Sequence, residues 1–192
     1  MKLNLTALPL SGKIGLILVL FWLVVAILGP WLAPYGSNAI VAYDVFEPLG
    51  GSHLLGTDYL GRDVLSRLLD GARYTIFIPL AAAALACTVG TLIALFSALS
   101  NPQTDEIISR FMDALTSIPS KVFALVMIAA LGSSIPILML ITAVSYMPGA
   151  FRIARSMAVN VANMEFVIVA RTRGEGRLYL ALKEVLPNIL HP

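Results

Sequence analysis

Charged residues are scarce in this chain. Only 12% of its 192 residues are charged, whereas 58% are hydrophobic, and the hydrophobic residues form long uninterrupted blocks. A soluble domain carries about 25% charged residues, so the composition excludes a soluble globular fold and predicts an integral membrane protein of the all-α class. The net charge of +2 accompanies no nucleic-acid motif. The expected partners are therefore proteins and membrane lipid, with no nucleic acid.

Residue types that carry catalysis are also few. The single cysteine, Cys87, lies inside an apolar block, which excludes an intrachain disulfide and predicts a role in packing. The two histidines, His53 and His191, are isolated, and we expect them to be solvated or interfacial rather than metal ligands. No HExxH pair, GxSxG elbow or glycine-rich phosphate loop occurs, so we predict a chain that is not an enzyme and binds no cofactor itself.

The apolar blocks predict four membrane spans, each long enough to cross a hydrocarbon core of about 30 Å. A cleaved signal peptide is the alternative for the first block, but its end offers prolines and an interfacial tryptophan and tyrosine instead of a small-residue cleavage site. The polar beginning of the third block contains Arg110 and Asp113, which we expect to form an interfacial ion pair; a functional intramembrane carboxylate at Asp113 is the alternative. The same block contains Pro119 as a predicted kink. The predicted spans are residues 14–33, 74–99, 107–131 and 136–158.

Small residues recur every fourth position in two of these blocks. Such a strip lets a neighbouring helix approach closely, because helices in lipid associate through packing rather than through a hydrophobic driving force. The second and fourth spans are therefore predicted to make close helix contacts. The strips consist of Ala82, Ala86, Gly90, Ala94 and Ala98, and of Ala150, Ala154, Ala158 and Ala162.

A polar stretch, residues 36–72, separates the first two spans. Thr57 and Asp58 are predicted to cap a helix that lies along the membrane interface, with Val64, Leu65, Leu68 and Leu69 on its apolar stripe. Two pairs in this stretch have the i,i+4 spacing of helical ion pairs: Asp58 with Arg62, and Asp63 with Arg67.

A charged amphipathic segment, residues 165–187, follows the fourth span. Its apolar spacing predicts two short helices that meet at Gly174, the second closed by Pro187. The second helix is predicted to present one apolar face, formed by Leu178, Leu182, Val185 and Leu186. A segment of this kind is suited to docking in a groove of another protein.

Lysine and arginine flank the spans unequally. Lys2 and Lys13 precede the first span and a group of arginines follows the fourth, whereas the stretch between the first two spans carries few basic residues. The positive-inside rule therefore predicts a cytoplasmic N-terminus, a cytoplasmic 165–187 segment and an external 36–72 stretch.

These residues resemble the permease subunit of a type I ABC importer of the dipeptide, oligopeptide and nickel branch. That family carries a cytoplasmic Glu-Ala-Ala motif followed by glycine and then Leu-Pro. This chain matches the motif at Ala170, Gly174, Leu186 and Pro187, but has Ile168 and Val169 at its first two positions. A dense match to the branch covers residues 53–73, and the start of the third span repeats its spacing. The matching residues are Gly56, Thr57, Asp58, Gly61, Arg62, Asp63 and Arg67 in the loop, with Arg110, Asp113 and Pro119 in the span.

The resemblance implies a transporter assembled from several chains in the bacterial inner membrane. A second homologous permease, two ATPase subunits that bind ATP and Mg²⁺, and an external solute-binding protein are the implied partners. The segment that couples to the ATPases is identified by resemblance, with Glu165, Ala170, Arg171, Gly174, Leu178, Leu182, Leu186 and Pro187 as its coupling residues.

The family has six spans, so this chain is expected to lack the last two. It is expected to comprise residues 1–72, with the first span and the external loop, and residues 73–192, an incomplete permease domain. Peptides are the expected cargo. Nickel is the alternative cargo. Two other functions also remain open: a passive channel or structural membrane subunit, and an intramembrane enzyme whose catalytic residues lie in the missing part.

Overall fold

The computed structural model describes residues 9–42 and 44–190, which form helices joined by short loops and one long loop between the first two helices. His191 and Lys2, on which two predictions rest, lie outside the described residues. The helical elements are α1 Leu10–Leu32, α2 Val64–Ala98, α3 Pro102–Ser117, α4 Ser120–Leu131, α5 Ile135–Ala162, α6 Glu165–Thr172, α7 Arg177–Tyr179, the π-helical π1 Leu180–Val185, and α8 Leu186–Ile189.

Three helices in the described residues, α1, α2 and α5, are long and apolar enough to cross a membrane. A fourth crossing is present if α3 and α4 count together, but these two helices meet at an angle of 85°. The predicted third span is therefore broken rather than kinked. The break follows from Pro119, which lacks an N–H and pushes Ile118 into an extended conformation (ψ 122°), so that the chain restarts as a new helix at Ser120.

Helix α2 contains both the predicted interfacial helix and the predicted second span. The 35 residues from Val64 to Ala98 are one helix, so the expected separate helix at the membrane surface is wrong. The predicted cap at Thr57 and Asp58 is also wrong, because the helix begins after Asp63. The Asp63 carboxylate accepts a hydrogen bond from the backbone N–H of Ser66 at 2.7 Å, which satisfies one of the free donors of the first turn.

The chain divides into two compact units, residues 1–77 and 78–192. In the first unit, Gly29 of α1 lies against the start of α2. A β-carbon at Gly29 would come within 2.5 Å of the Leu69 carbonyl oxygen, so the close approach of these helices requires glycine.

In the second unit, the strip of small residues on α2 packs closely against another helix, as predicted, and the structure shows that this helix is α5. Ala82 and Ala86 are buried with Ala143, and Ala94 is buried with Phe151 and Ala154. Cys87 lies off this strip and is exposed, so its predicted packing role is wrong. The strip fixes the distance between α2 and α5.

Gly90 sits at the tightest point of this contact. A β-carbon there would lie 3.0 Å from the Met147 carbonyl oxygen and 3.1 Å from the Ala150 Cβ. Replacing Gly90 by valine should therefore push the helices apart and lower stability by about 1–3 kcal/mol, the usual cost of overpacking. The measurement is the thermal unfolding midpoint of the protein in detergent. Gly149→Val is the matched control, because nothing lies within 4 Å of a β-carbon at Gly149; equal midpoints for the two variants would contradict the assignment.

Candidate functional sites

The C-terminal hairpin consists of α6 through α8, residues 165–189. Helix α6 ends in a Schellman motif: the N–H of Gly174 donates to the Arg171 carbonyl and the N–H of Glu175 donates to the Ala170 carbonyl. Gly174 takes the left-handed conformation this motif requires, with φ +86°. Two short helical segments therefore meet at Gly174, as predicted.

The second arm of the hairpin is not closed by Pro187. The chain stays helical through Pro187 to Ile189, and the six residues before α8 form the π-helical turn π1. A proline inside an α-helix lacks its hydrogen bond and collides with the carbonyl four residues earlier, here that of Lys183. The wider π turn accommodates the proline without ending the helix.

This π turn changes which residues of the second arm are buried. Leu180, Ala181, Val185 and Ile189 face the core, whereas Leu178 and Leu182 are exposed. The predicted single apolar face with Leu178 and Leu182 beside Val185 is therefore wrong. The two leucines instead line an open apolar groove of about 400 Å³ with residues of α2, namely Leu92, Leu95, Phe96 and Leu99.

The buried face of the hairpin joins one hydrophobic core with the ends of two spanning helices. Val167 and Ala170 of α6 are buried in it. Because Val, Leu and Ile each stabilise by about 1.5–3 kcal/mol when buried, this core holds the hairpin firmly to both spans. The core residues from the spans are Leu95 and Leu99 of α2, and Ala158, Val161 and Ala162 of α5.

The rest of the hairpin surface is exposed and mixes apolar with basic side chains. Phe166, Ile168 and Val169 are each exposed by 40–48%, next to the exposed Arg171. Glu165, the first residue of α6, and Pro187 are exposed as well. Aromatic, aliphatic and arginine side chains together are typical of protein interfaces.

One carboxylate near the hairpin connects three helices. Asp105, in the first turn of α3, accepts hydrogen bonds from the Nε (2.7 Å) and the Nη2 of Arg155 on α5. The fully buried hydroxyl of Ser97 on α2 donates to the same carboxylate. Sequence reasoning missed this cluster, although a serine in an apolar block and an arginine inside a spanning helix are both signals of a polar contact.

The predicted ion pair between Arg110 and Asp113 is wrong. Arg110 pairs with Glu106 instead, with the Nη2 2.6 Å from the carboxylate. Asp113 lies 3.4 Å from Arg152 of α5. Both of these ion pairs are exposed.

In the loop before α2, the signature glycines allow the backbone to fold tightly on itself. Gly56 (φ +72°) and Gly61 (φ +68°) are left-handed. A β-carbon at either would lie about 2.5 Å or less from a backbone carbonyl oxygen, that of Glu47 or that of Ala42. Thr57 ties the same turn, because its hydroxyl accepts the backbone N–H of Glu47 at 2.9 Å.

Asp58 organises the turn that follows. Its carboxylate accepts the backbone N–H groups of Leu60 (2.8 Å) and Arg62 (3.0 Å). The predicted pair with Arg62 is confirmed, at 2.9 Å. Arg67 also pairs with Asp58, so the predicted pair of Arg67 with Asp63 is wrong. Desolvation opposes ionisation of Asp58, but these backbone and guanidinium donors outweigh it and hold its pKa well below the usual range.

Asp63 is buried and links the loop to α2. The Ser66 hydroxyl donates to it at 2.7 Å, and the Nδ1 of His53 lies 3.2 Å from its other oxygen. His53 is itself buried, beside the ring of Tyr35, so the expectation of a solvated or interfacial histidine is wrong. Burial opposes ionisation of Asp63, but the hydrogen bonds from Ser66 and His53 outweigh it and lower the pKa of this carboxyl.

This geometry gives the signature residues a structural role. They close the loop, cap α2 and pair their charges within the loop. In the described part of the chain no group of three histidine, cysteine or acidic side chains is placed to hold a metal ion.

The apolar helices define a multi-pass membrane protein in which the hairpin packs onto the ends of two spanning helices. The chain belongs to the family of binding-protein-dependent transport system inner membrane components, whose model matches residues 90–192. This family is the membrane component of transport systems.

Curated relatives match nearly the whole chain. It is 37% identical over 184 residues to the probable D,D-dipeptide transport system permease protein of Escherichia coli, covering 96% of this chain and 61% of the relative. It is 34% identical over 182 residues to a putative peptide transport system permease protein of Brucella suis, covering 95% and 61%. An oligopeptide transport system permease protein of Bacillus subtilis is 29% identical over 179 residues, covering 93% and 59%. The chain thus spans about three fifths of the length of these relatives.

Replacing Asp63 by alanine should lower stability by about 1 kcal/mol at neutral pH, the usual cost of a lost N-cap. Because the pKa of Asp63 is lowered in the folded state, its contribution is present above the ordinary carboxyl pKa and is lost as the pH falls through the lowered value. Thermal unfolding midpoints measured from neutral to acid pH should therefore converge for the Asp63→Ala variant and the parent. The exposed Asp44→Ala is the control; a constant difference at all pH values would contradict the role of the ionised carboxylate.

Proposed function

We propose that this chain is the permease subunit of an ATP-driven ABC importer and that the C-terminal hairpin couples the partner ATPases to its spans. Two ATPase subunits bind ATP and Mg²⁺, a second homologous permease completes the pathway, and an external solute-binding protein delivers the cargo. The chain itself carries out no bond chemistry and binds no cofactor.

The observation that carries this proposal is that the hairpin has one face buried against the spans and one face exposed. Its inner face shares one core with the ends of α2 and α5, and its outer face leaves apolar and arginine side chains exposed. A partner that moves the outer face therefore moves both spans, which is the requirement for turning ATPase closure into a change of the pathway. Membership of a transport family supports the same role.

Di- or oligopeptides are the proposed cargo. The relatives described above are named for peptide, D,D-dipeptide and oligopeptide transport. Nickel was the alternative from the sequence resemblance, and none of these names supports it. We therefore propose peptide import.

The hairpin and the N-terminus are proposed to lie in the cytoplasm and the loop of residues 36–63 outside. Arg152, Arg155, Arg171, Arg173 and Arg177 concentrate after or at the end of α5, as expected of a cytoplasmic side.

Replacing Gly174 by leucine should abolish ATP-driven peptide uptake while leaving membrane insertion intact. A side chain in the left-handed conformation costs about 1–2 kcal/mol, so the turn between the arms should rearrange and misplace the outer face. The measurement is uptake of a labelled dipeptide in cells with the complete transporter, alongside the amount of the protein in the membrane.

Gly176→Leu is the matched control, because Gly176 lies in the same turn with an ordinary φ of −71° and open space around it. Full uptake by the Gly174→Leu variant would count against coupling through the hairpin. Uptake that persists in the parent without ATP would instead favour a passive channel.

Cysteine labelling tests the orientation. In a Cys87→Ser background, Glu175→Cys in the hairpin should resist a membrane-impermeant maleimide in intact cells and react after permeabilisation. Ser52→Cys, which is exposed in the outer loop, should react in intact cells. The reverse pattern would place the hairpin on the wrong side for the ATPases.

A further inference from the structure

Three helices converge on the carboxylate of Asp105. Asp105 belongs to α3, and it accepts the hydroxyl of Ser97 from α2 and two guanidinium nitrogens of Arg155 from α5. Asn101 caps the start of α3, one turn before Asp105, by accepting the backbone N–H of Thr104 at 2.9 Å. Bidentate pairing of arginine with a carboxylate fixes orientation as well as distance.

The two partners of Asp105 belong to the same stretches of helix that hold the hairpin. Ser97 lies between Leu95 and Leu99, and Arg155 lies between Ala154 and Ala158. Leu95, Leu99 and Ala158 are in the hairpin core, so the cluster and the core are adjacent on α2 and on α5. Helix α3 has no residue in that core among the described residues.

A second ion pair also joins α3 to α5, but it differs in burial. The side chains of Asp105 and Arg155 are 22% and 34% exposed, whereas those of Asp113 and Arg152 are 70% and 63% exposed. An exposed pair is screened by solvent and contributes little, so the Asp105 pair is the stronger constraint on α3.

We propose that Asp105 is a positioning residue for transport: its carboxylate holds α3 to α2 and α5 so that α3 moves with the hairpin. This inference rests on the proposed coupling function of the hairpin. Movement of the hairpin core displaces α2 and α5, and the Asp105 contacts extend that displacement to α3 and to the break at Pro119. Without the carboxylate, α3 keeps the apolar contacts of Met112 with Ala94, Phe151 and Ala154 but loses its fixed orientation.

The test is the ratio of peptide transported to ATP hydrolysed, measured with the complete transporter in proteoliposomes. Asp105→Asn keeps the shape of the side chain and removes the charge that binds Arg155. Residues that transmit coupling change it by about 0.5–2 kcal/mol, so the ratio of peptide transported to ATP hydrolysed should fall roughly two- to thirtyfold while ATP hydrolysis continues. A merely structural role would lower the amount of assembled transporter and leave the ratio unchanged.

Matched variants sharpen the test. Asp113→Asn, which breaks the exposed pair between the same two helices, should keep the parental ratio. Asp105→Glu, which keeps the charge, should have a transport ratio between that of Asp105→Asn and that of the parent. The double variant Arg155→Gln with Asp105→Asn should lower the transport ratio no more than either single change, because both changes remove the same contact.

An Asp105→Asn ratio equal to that of the parent overturns the proposal. If this variant does not accumulate in the membrane, Ser97→Ala and Arg155→Lys carry the test, and parental ratios in both overturn it. A different result would contradict the proposed function: the parent protein itself would show no ATP-dependent transport.

Discussion

The close contact between α2 and α5 is the constraint on which the second unit of the molecule depends. Lipid supplies no hydrophobic driving force between helices, so α2 and α5 are held by the fit of small side chains. Gly90 and its neighbours on the strip bring the two backbones close enough for the backbone of Met147 and Phe151 to meet the glycine. Only when α2 and α5 are fixed in this way can one core receive the hairpin from both.

The polar groups add orientation to this packing. Asp105 lies in the first turn of α3 and Arg155 lies within α5, next to residues of the hairpin core, and their hydrogen bonds have defined directions that apolar contacts lack. The loop before α2 is also oriented by directed hydrogen bonds to carboxylates, but here the partners lie close together in the sequence. There neighbouring arginine, serine and histidine donors satisfy the carboxylates of Asp58 and Asp63, so these two charges are paired where the polar loop meets the start of an apolar helix.

Local patterns in the sequence predicted the parts of the fold that local physics decides. Apolar runs predicted α1, α2 and α5, and four-residue spacing of small side chains predicted that α2 and α5 each make close helix contacts, but not that they contact each other. The ion pairs were predicted less well, because i,i+4 spacing shows which charged residues are close enough to pair but not which of them form the contact. Arg67 had Asp63 at helical spacing but pairs with Asp58, since Asp63 is occupied by Ser66 and His53. In the cluster of Ser97, Asp105 and Arg155, the carboxylate binds an arginine 50 positions away, a contact that sequence spacing cannot predict.

The hairpin explains which motif positions have freedom to vary. Gly174 is required by its left-handed φ, and Ala170 is buried in the core, so a larger side chain at either would disturb the fold. The π turn that precedes Pro187 rotates Leu182 away from Val185. A pattern of 3.6 residues per turn does not predict this rotation. Ile168 and Val169, where this chain departs from the motif it resembles, are about half exposed. The departures therefore fall on the exposed face of the hairpin, while Ala170 and Gly174 keep the residues that the packing and the backbone conformation require.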